Sequence, residues 1–595
     1  MLNDGGKMTD MYERTWLGGV TVERDVPATM RDGVILLADV YRPSDDGEFP
    51  VLLQRTPYDK TVAQQISYRH PVWYARHGYI VVVQDTRGRY NSGGEFEPFF
   101  TEGEDTADSI AWAARIGGSD GRVATYGFSY AGAVQLLGAI EKPESLVCMV
   151  PSFTGSDFFD GWTYVGGAFS LAFIVSWVQP LLAIPDLIKR NAIASATTLA
   201  HRSNDFPGLY STQPLGEFPL LRDVGAAPYF FDWLEHDTRD DYWKRISIRD
   251  RHDKILTPGL HFGGWYDTFV EGTIENFCAL AALAEGDQMR AQRLVIGPWK
   301  HIPWTQYTGS VDFGDSGRNV VDDLQVSWFN YWLKGEGNLS DWAPLRLFRM
   351  GDNQWCDYDA WPPSNASEQK YFLRSSGSAM SLSGDGTLMD FAPGEQEPSD
   401  VFVFIPSMPA PSAGGRSCCV SDVAPIGPMC QTHIETRNDV LIYSTPPLVE
   451  DLEVVGTIVL VLYAATDAVD TDWTAKICDV DTDGRSINLC DGIIRARYRE
   501  SLEHPTFIEP KKIYEYRIKV GSTANLFKRG HRIRLEISSS NFPMFDVNPN
   551  NGQRTGEATT LAGRVATQVV FHDALRPSHL IIPVVGMASN TDTST

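Results

Sequence analysis

Short runs of consecutive apolar residues open the chain: Val34–Ala38, Val51–Gln54, Ile80–Gln84 and Val123–Tyr126, all rich in Val, Ile and Leu. Runs of this kind without polar alternation predict strands buried on both faces of a mainly parallel sheet. Between the last two, Glu104–Arg115 (EDTADSIAWAAR) has the spacing of an amphipathic helix. Strands alternating with helices predict an α/β core. From residue 156 to 253 the apolar and aromatic stretches lengthen and are broken by Pro180, Pro185 and Pro207, which predicts a mostly helical insertion. The α/β pattern resumes at Leu256–Phe262 and Leu294–Ile296, followed by the helix-like Val321–Lys334. Beyond Trp361-Pro362-Pro363, runs such as Thr457–Tyr463 and Ile533–Ser538 sit among Gly, Pro, Asp and Asn turns, the pattern of an all-β sandwich. The expected division is a first part of the core over 1–155, an insertion over 156–253, a second part of the core over 254–363 and a β domain over 364–595.

At 595 residues the chain exceeds one ordinary core, in keeping with several domains. Its formal net charge of −25 argues against nucleic acid and anionic membrane surfaces as partners, because phosphate recognition needs clustered Lys and Arg. Eight cysteines are scattered without a CxxC pair, which fits neither a zinc site nor a disulfide framework. Free thiols in a reducing cytoplasm are expected, the adjacent Cys418 and Cys419 included. The polar stretch Met1–Arg14 lacks a basic-then-apolar leader pattern and points to the same compartment, although secretion stays open.

The sharpest local signal is Tyr126-Gly127-Phe128-Ser129-Tyr130-Ala131-Gly132, directly after a predicted strand. A serine on a tight strand-to-helix turn projects its hydroxyl above the sheet, and the crowding there demands small residues two before and two after it. Gly127 and Ala131 meet that demand. Gly132 lets the following helix approach the sheet, and the Tyr130 N–H at the helix N-terminus is a candidate oxyanion donor. A serine hydroxyl needs a base and an orienting acid, which in this type of enzyme follow in the order acid, then histidine. His261-Phe-Gly-Gly-Trp-Tyr-Asp267 ends one strand with a glycine turn and an acid. Val295-Ile-Gly-Pro-Trp-Lys-His301 ends the next with a turn and a histidine. The candidate triad is therefore Ser129, His301 and Asp267. His261 is a rival histidine, expected within the strand as a core or pocket residue.

These residues carry a family resemblance. The blocks Arg55-Thr-Pro-Tyr-Asp-Lys60, Gln84-Asp-Thr-Arg-Gly-Arg89 with Ser92-Gly-Gly-Glu95, Gly127 to Gly132, Gly263-Gly-Trp-Tyr-Asp267, Gly297-Pro-Trp-Lys-His301 and Ser538 to Phe545 run in order along nearly the whole chain. In them the chain resembles the cocaine esterase and X-prolyl dipeptidyl-peptidase family of α/β-hydrolases, which includes α-amino-acid ester hydrolases and cephalosporin acylases. The resemblance implies an α/β-hydrolase core, a helical cap inserted into it and a C-terminal jelly roll. It also implies the triad above and assigns Tyr58 as a second oxyanion donor, through its phenol. A phenol with a pKa near ~10 stays protonated and can donate to an alkoxide.

The implied activity is hydrolysis of a small ester without metal or organic cofactor. An X-Pro dipeptidyl-peptidase or amino-acid ester or amide hydrolase is the alternative, and a homodimer is compatible with either. Phe153, Trp162 and Trp177 are candidate pocket residues, as is Tyr164. Asp85, Arg87 and Arg89 read as a buried ion-pair and turn network. Asp479, Asp481, Asp483 and Gly484 resemble the opening of a calcium loop, but Cys490 stands where its closing glutamate belongs, so a surface turn is expected. The apolar run Tyr164–Ile184 imitates a membrane span. A span there would separate Ser129 from Asp267 and His301, so a buried or pocket-lining helix is expected.

Overall fold

A computed structural model describes residues 14–586 apart from 17, 45–46, 63–66, 285, 288–289 and 420–423. The apolar runs become the centre of an eleven-stranded sheet. Seven strands lie side by side and parallel, in the order Ile80–Asp85, Phe49–Thr56, Ser119–Phe128, Leu146–Ser152, Gly259–Tyr266, Gln292–Lys300 and Leu345–Arg349. Antiparallel strands flank them, Ile35–Pro43 on one side and Gln354–Tyr358 on the other. Every residue of Ile80–Asp85 and of Gly259–Tyr266 is buried, as a sheet covered on both faces requires. Helices Glu102–Ala113 and Tyr130–Ile140 pack on each other closely enough that a Cβ at Gly138 would strike Thr106. This is an α/β-hydrolase core.

The chain leaves this sheet after Ser152 and rejoins it at Gly259. In between lie short helices, among them Leu171–Trp177, Ile184–Lys189, Ile193–Arg202 and Pro228–Glu235. The apolar run folds as Leu171–Trp177, a π-helical turn Val178–Ala183 and Ile184–Lys189. Pro180, which has no N–H to give an α-helical bond, lies in the π turn. Long and apolar enough by composition to cross a membrane, this stretch is two-thirds buried (67% of its most apolar window). It shares one apolar cluster with Phe99, Tyr130 and Trp233.

The C-terminal part forms a second eleven-stranded, almost wholly antiparallel sheet system from Ala366–Arg374 to His579–Val585, with its own core around Trp473, Leu460, Ile477 and Leu535. It grips the cap. A two-strand hairpin, Tyr164–Val165 with Ala168–Phe169, turns at Gly166 and Gly167 against this β domain. Gly166 has φ +53°, and a Cβ on it would collide with the Ile493 carbonyl; one on Gly167 would collide with the Tyr498 ring. The Arg495 N–H donates to the Gly166 carbonyl (2.9 Å), and the Phe169 N–H to Asp546 (2.7 Å).

Cys418 and Cys419, expected as free thiols, are joined as a disulfide. Adjacent sulfurs can meet whatever the spacing of the other cysteines, so a framework argument does not reach them. Of the acidic segment, Asp479 and Val480 end the strand Asp472–Val480, where Asp479 pairs with His531 (2.8 Å), and the turn follows, with Asp481 accepting the Asp483 and Arg485 N–H groups.

Candidate active site

Ser129 stands between the strand Ser119–Phe128 and the helix Tyr130–Ile140, with φ 61° and ψ −125°, a backbone strained for a residue with a side chain. Its surroundings hold it there. The Ser129 N–H donates to the Ser152 carbonyl (3.0 Å), and the Thr154 hydroxyl donates to the Ser129 carbonyl (2.9 Å). Gly127 has φ +140°, and a Cβ on it would lie 2.7 Å from that of Ala131. Gln135 adds a polar clasp inside an otherwise apolar helix: its amide nitrogen donates to the carbonyls of Gly127, Ala131 and Val150 (3.0, 2.9 and 3.1 Å), and its oxygen accepts the Val150 N–H (3.1 Å). Its position was legible as the lone polar side chain among YAGAVQLLGAI, though it was not singled out.

Asp267 and His301 follow the neighbouring strands Gly259–Tyr266 and Gln292–Lys300, and they meet. His301 Nδ1 lies 2.7 Å from Asp267 Oδ1. A carboxylate can only accept, so the neutral ring carries its proton on Nδ1 and leaves Nε2 unprotonated. The second oxygen of the fully buried Asp267 has no donor among the described residues, so its hydrogen bonding is concentrated on this imidazole. The ring is held among Phe128, Phe153 and Phe269, with centroids 5.6, 6.5 and 5.3 Å away. Phe128, whose ring lies against the imidazole, directly precedes Ser129.

Tyr58 follows the strand Phe49–Thr56. Its hydroxyl accepts from the Trp177 indole N–H at 2.8 Å. Burial pushes its pKa up, opposed by the hydrogen bond from Trp177 and by the charge of Arg89, so the phenol keeps its proton. Tyr130 presents only its backbone to this place. As the first residue of its helix it has no preceding turn to take its N–H, while its hydroxyl turns away to Glu102 (2.8 Å) and accepts the Phe99 N–H (3.1 Å).

The four candidate pocket residues separate. Trp162 stacks on Phe269 (4.2 Å) and meets Trp177 edge-on (5.5 Å), so these two build an aromatic wall beside the imidazole. Phe153 belongs to the core instead, stacked on Trp304 (4.4 Å) behind His301. Tyr164 packs in the cap cluster, its hydroxyl on the Trp233 carbonyl (2.9 Å). His261, the rival histidine, is buried in its strand against Gln292 (2.9 Å).

Of the presumed ion-pair network, Asp85 pairs with Lys60 (3.3 Å) and Arg87 with Asp105 and Asp32 (2.6 and 2.7 Å). Arg89 does not join it: its three hydrogen bonds all go to backbone carbonyls. Phe269 was missed as well, because an aromatic residue two past the acid has no signature of its own.

Residues 32–303 match the family model for X-Pro dipeptidyl-peptidase (S15 family), and residues 339–581 that for the X-Pro dipeptidyl-peptidase C-terminal non-catalytic domain. Over 581 residues the chain is 36% identical to the cocaine esterase of Rhodococcus sp. (strain MB1 Bresler), across 96% of this chain and 99% of that protein. Among solved structures it is similar to an aminopeptidase from a marine sediment Thaumarchaeota archaeon (26% identity, TM-score 0.77, 98% of this chain and 99% of that chain). It shares the fold of an α-amino acid ester hydrolase (23% identity, TM-score 0.80, 97% of this chain and 100% of that chain). A serine on a strained turn and a coverage of both domains by one set of relatives lead to one conclusion: the chain belongs to the cocaine esterase and X-Pro dipeptidyl-peptidase (S15) family of α/β-hydrolases and is a serine hydrolase of the esterase kind.

Proposed function

We propose that the chain hydrolyses a neutral carboxylic ester through an acyl-enzyme on Ser129. His301 Nε2 takes the serine proton as the hydroxyl attacks the ester carbonyl, and Asp267 stabilises the imidazolium that forms. The Tyr58 hydroxyl and the Tyr130 N–H donate to the tetrahedral oxyanion. His301 then protonates the departing alcohol, and water releases the acid by the same steps in reverse roles. No step in this scheme calls on a metal or organic cofactor.

The observation that carries the ester over a peptide is the state of the acids that flank the apolar stretch of the cap. A substrate ammonium buried in an apolar pocket needs a free carboxylate. Asp157 is bound by Arg239 (2.8 Å), Asp186 by Arg190 (2.7 Å), and Asp160 faces Arg249 (3.5 Å) while accepting the Gly166 N–H. The residues directly after Asp267 are Thr268, Phe269 and Val270. With each of these acids already matched by an arginine, the wall suits an uncharged, partly aromatic acyl or alkyl group. A panel of aryl esters, amino-acid esters and X-Pro anilides tests this. The expected result is a kcat/KM for a neutral aryl or short acyl ester at least ~100-fold above any X-Pro amide, the size of a lost charge anchor. The reverse ranking would make the chain a dipeptidyl-peptidase or aminoacyl hydrolase.

A further inference from the structure

Arg89 is 1% exposed, yet among the described residues no carboxylate pairs with it. Its guanidinium donates from Nε to the Pro57 carbonyl (3.0 Å), from Nη1 to that of Leu182 (2.9 Å) and from Nη2 to that of Leu181 (2.9 Å). The Phe96 ring covers it, 4.8 Å away. A charge buried without a counter-ion is costly, and it is kept where the geometry of its hydrogen bonds does something no neutral group could do. The acceptors are informative. Pro57 directly precedes Tyr58. Leu181 and Leu182 lie in the π turn that directly follows Trp177, the residue that donates to the Tyr58 hydroxyl. One planar group therefore binds both chain segments whose meeting sets the phenol.

We propose that Arg89 is a positioning residue for hydrolysis: it brackets the Tyr58 loop to the cap turn behind Trp177 and so fixes the phenol hydroxyl where the oxyanion develops. The inference rests on the reading of Tyr58 as an oxyanion donor. The bracket crosses between core and cap, so it also ties the cap's seating to the readiness of the site. Its positive charge acts in the same direction, favouring negative charge at and beside the phenol.

A double-mutant cycle tests it. Arg89→Lys keeps the charge, but one ammonium cannot reach three divergent carbonyls in the fork geometry of a guanidinium. Arg89→Lys is expected to lower kcat for an aryl ester by about tenfold with KM changed less than about threefold, the pattern of an interaction felt in the transition state. In a Tyr58→Phe background the same change is expected to lower kcat by less than about twofold, because the group that Arg89 positions is already gone. Melting curves and stoichiometric fluorophosphonate labelling establish that each variant is folded.

Wild-type kcat in Arg89→Lys overturns the inference, as does an undiminished tenfold loss in the Tyr58→Phe background. Near-normal kcat in Tyr58→Phe alone overturns the oxyanion reading and this inference with it, and is told apart by that single variant. Should Arg89→Lys not fold, Arg89→Gln, which keeps two N–H donors but not the three-way fork, takes its place in the same cycle. Coupling to Tyr58 then supports the bracket, and additivity overturns it.

Discussion

Trp177 donates its indole N–H to the Tyr58 hydroxyl at 2.8 Å, across 119 positions of sequence and from cap to core. An indole N–H can only donate, so the phenol oxygen is the acceptor and its single proton is left to point elsewhere. Trp177 therefore sets the direction of the Tyr58 proton as well as the place of its oxygen.

Removing that proton gives the first prediction. Tyr58→Phe is expected to lower kcat by about two to three orders of magnitude with KM little changed, corresponding to about 2.7–4 kcal/mol for one oxyanion donor. The ring and its packing remain. Steady-state kinetics with an aryl ester reads the result, and near-normal kcat would make Tyr58 structural.

Ser129→Ala is expected to abolish acyl-enzyme formation while leaving the melting curve close to that of the parent. The turn is held by Gly127, Ala131, Gln135 and Thr154, and alanine keeps the Cβ that the strained backbone already accommodates. Labelling of the variant at one fluorophosphonate per chain would show that another residue is the nucleophile.

Gln135→Leu keeps nearly the same volume but removes four hydrogen bonds from a buried place. Buried peptide groups left without partners cost about 1–3 kcal/mol each, partly relieved by relaxation. The expected loss is about 2–4 kcal/mol of stability, seen as a lower urea midpoint, together with a lower kcat as the serine turn loosens. An unchanged midpoint and kcat would show that the clasp is dispensable.

His261 gives a pH dependence. Burial is the main cause that holds its pKa down, to about 4 against 6.5 for a free imidazole, with the hydrogen bond to Gln292 opposing. The unfolded chain thus binds a proton that the folded chain refuses between these values. Stability from the neutral ring is complete above about pH 6.5 and is lost as pH falls toward 4, on the order of 3 kcal/mol in all. His261→Gln, which still offers a donor to Gln292, is expected to flatten this part of the stability profile. Urea midpoints measured from pH 7 to 4 would reveal an unaltered slope if another group were responsible.

Much of this site is legible in the sequence because the chemistry confines it. Ser129, Asp267 and His301 each stand directly after a strand, the expected glycine turns being the last glycine-containing part of the strands themselves, and a sheet of parallel strands brings such ends to one edge. The small residues around Ser129 are dictated by sterics that any observer can count. What escapes is contact made through groups without a sequence signature. Arg89 reads as an ion-pairing residue, since three carbonyl acceptors in Pro57, Leu181 and Leu182 look like any others. Gln135 is visible as an anomaly in an apolar helix, but its acceptors lie on a strand that only the fold brings near. The Cys418–Cys419 bond depends on the two side chains of one dipeptide turning toward each other, which residue spacing does not encode.

The hairpin at Gly166 and Gly167 has a consequence for how such enzymes can be recombined. Its two glycines are fitted to Ile493 and Tyr498, and its backbone is tied to Arg495 and Asp546. A cap transplanted from a relative with side chains at these two positions would strike the β domain before it could seat on the core. The unit of exchange is therefore larger than the insertion itself: a graft must carry the hairpin together with the stretch from Ile493 to Tyr498. A domain whose own surface takes no part in the proposed chemistry thereby restricts which specificities the chain can acquire.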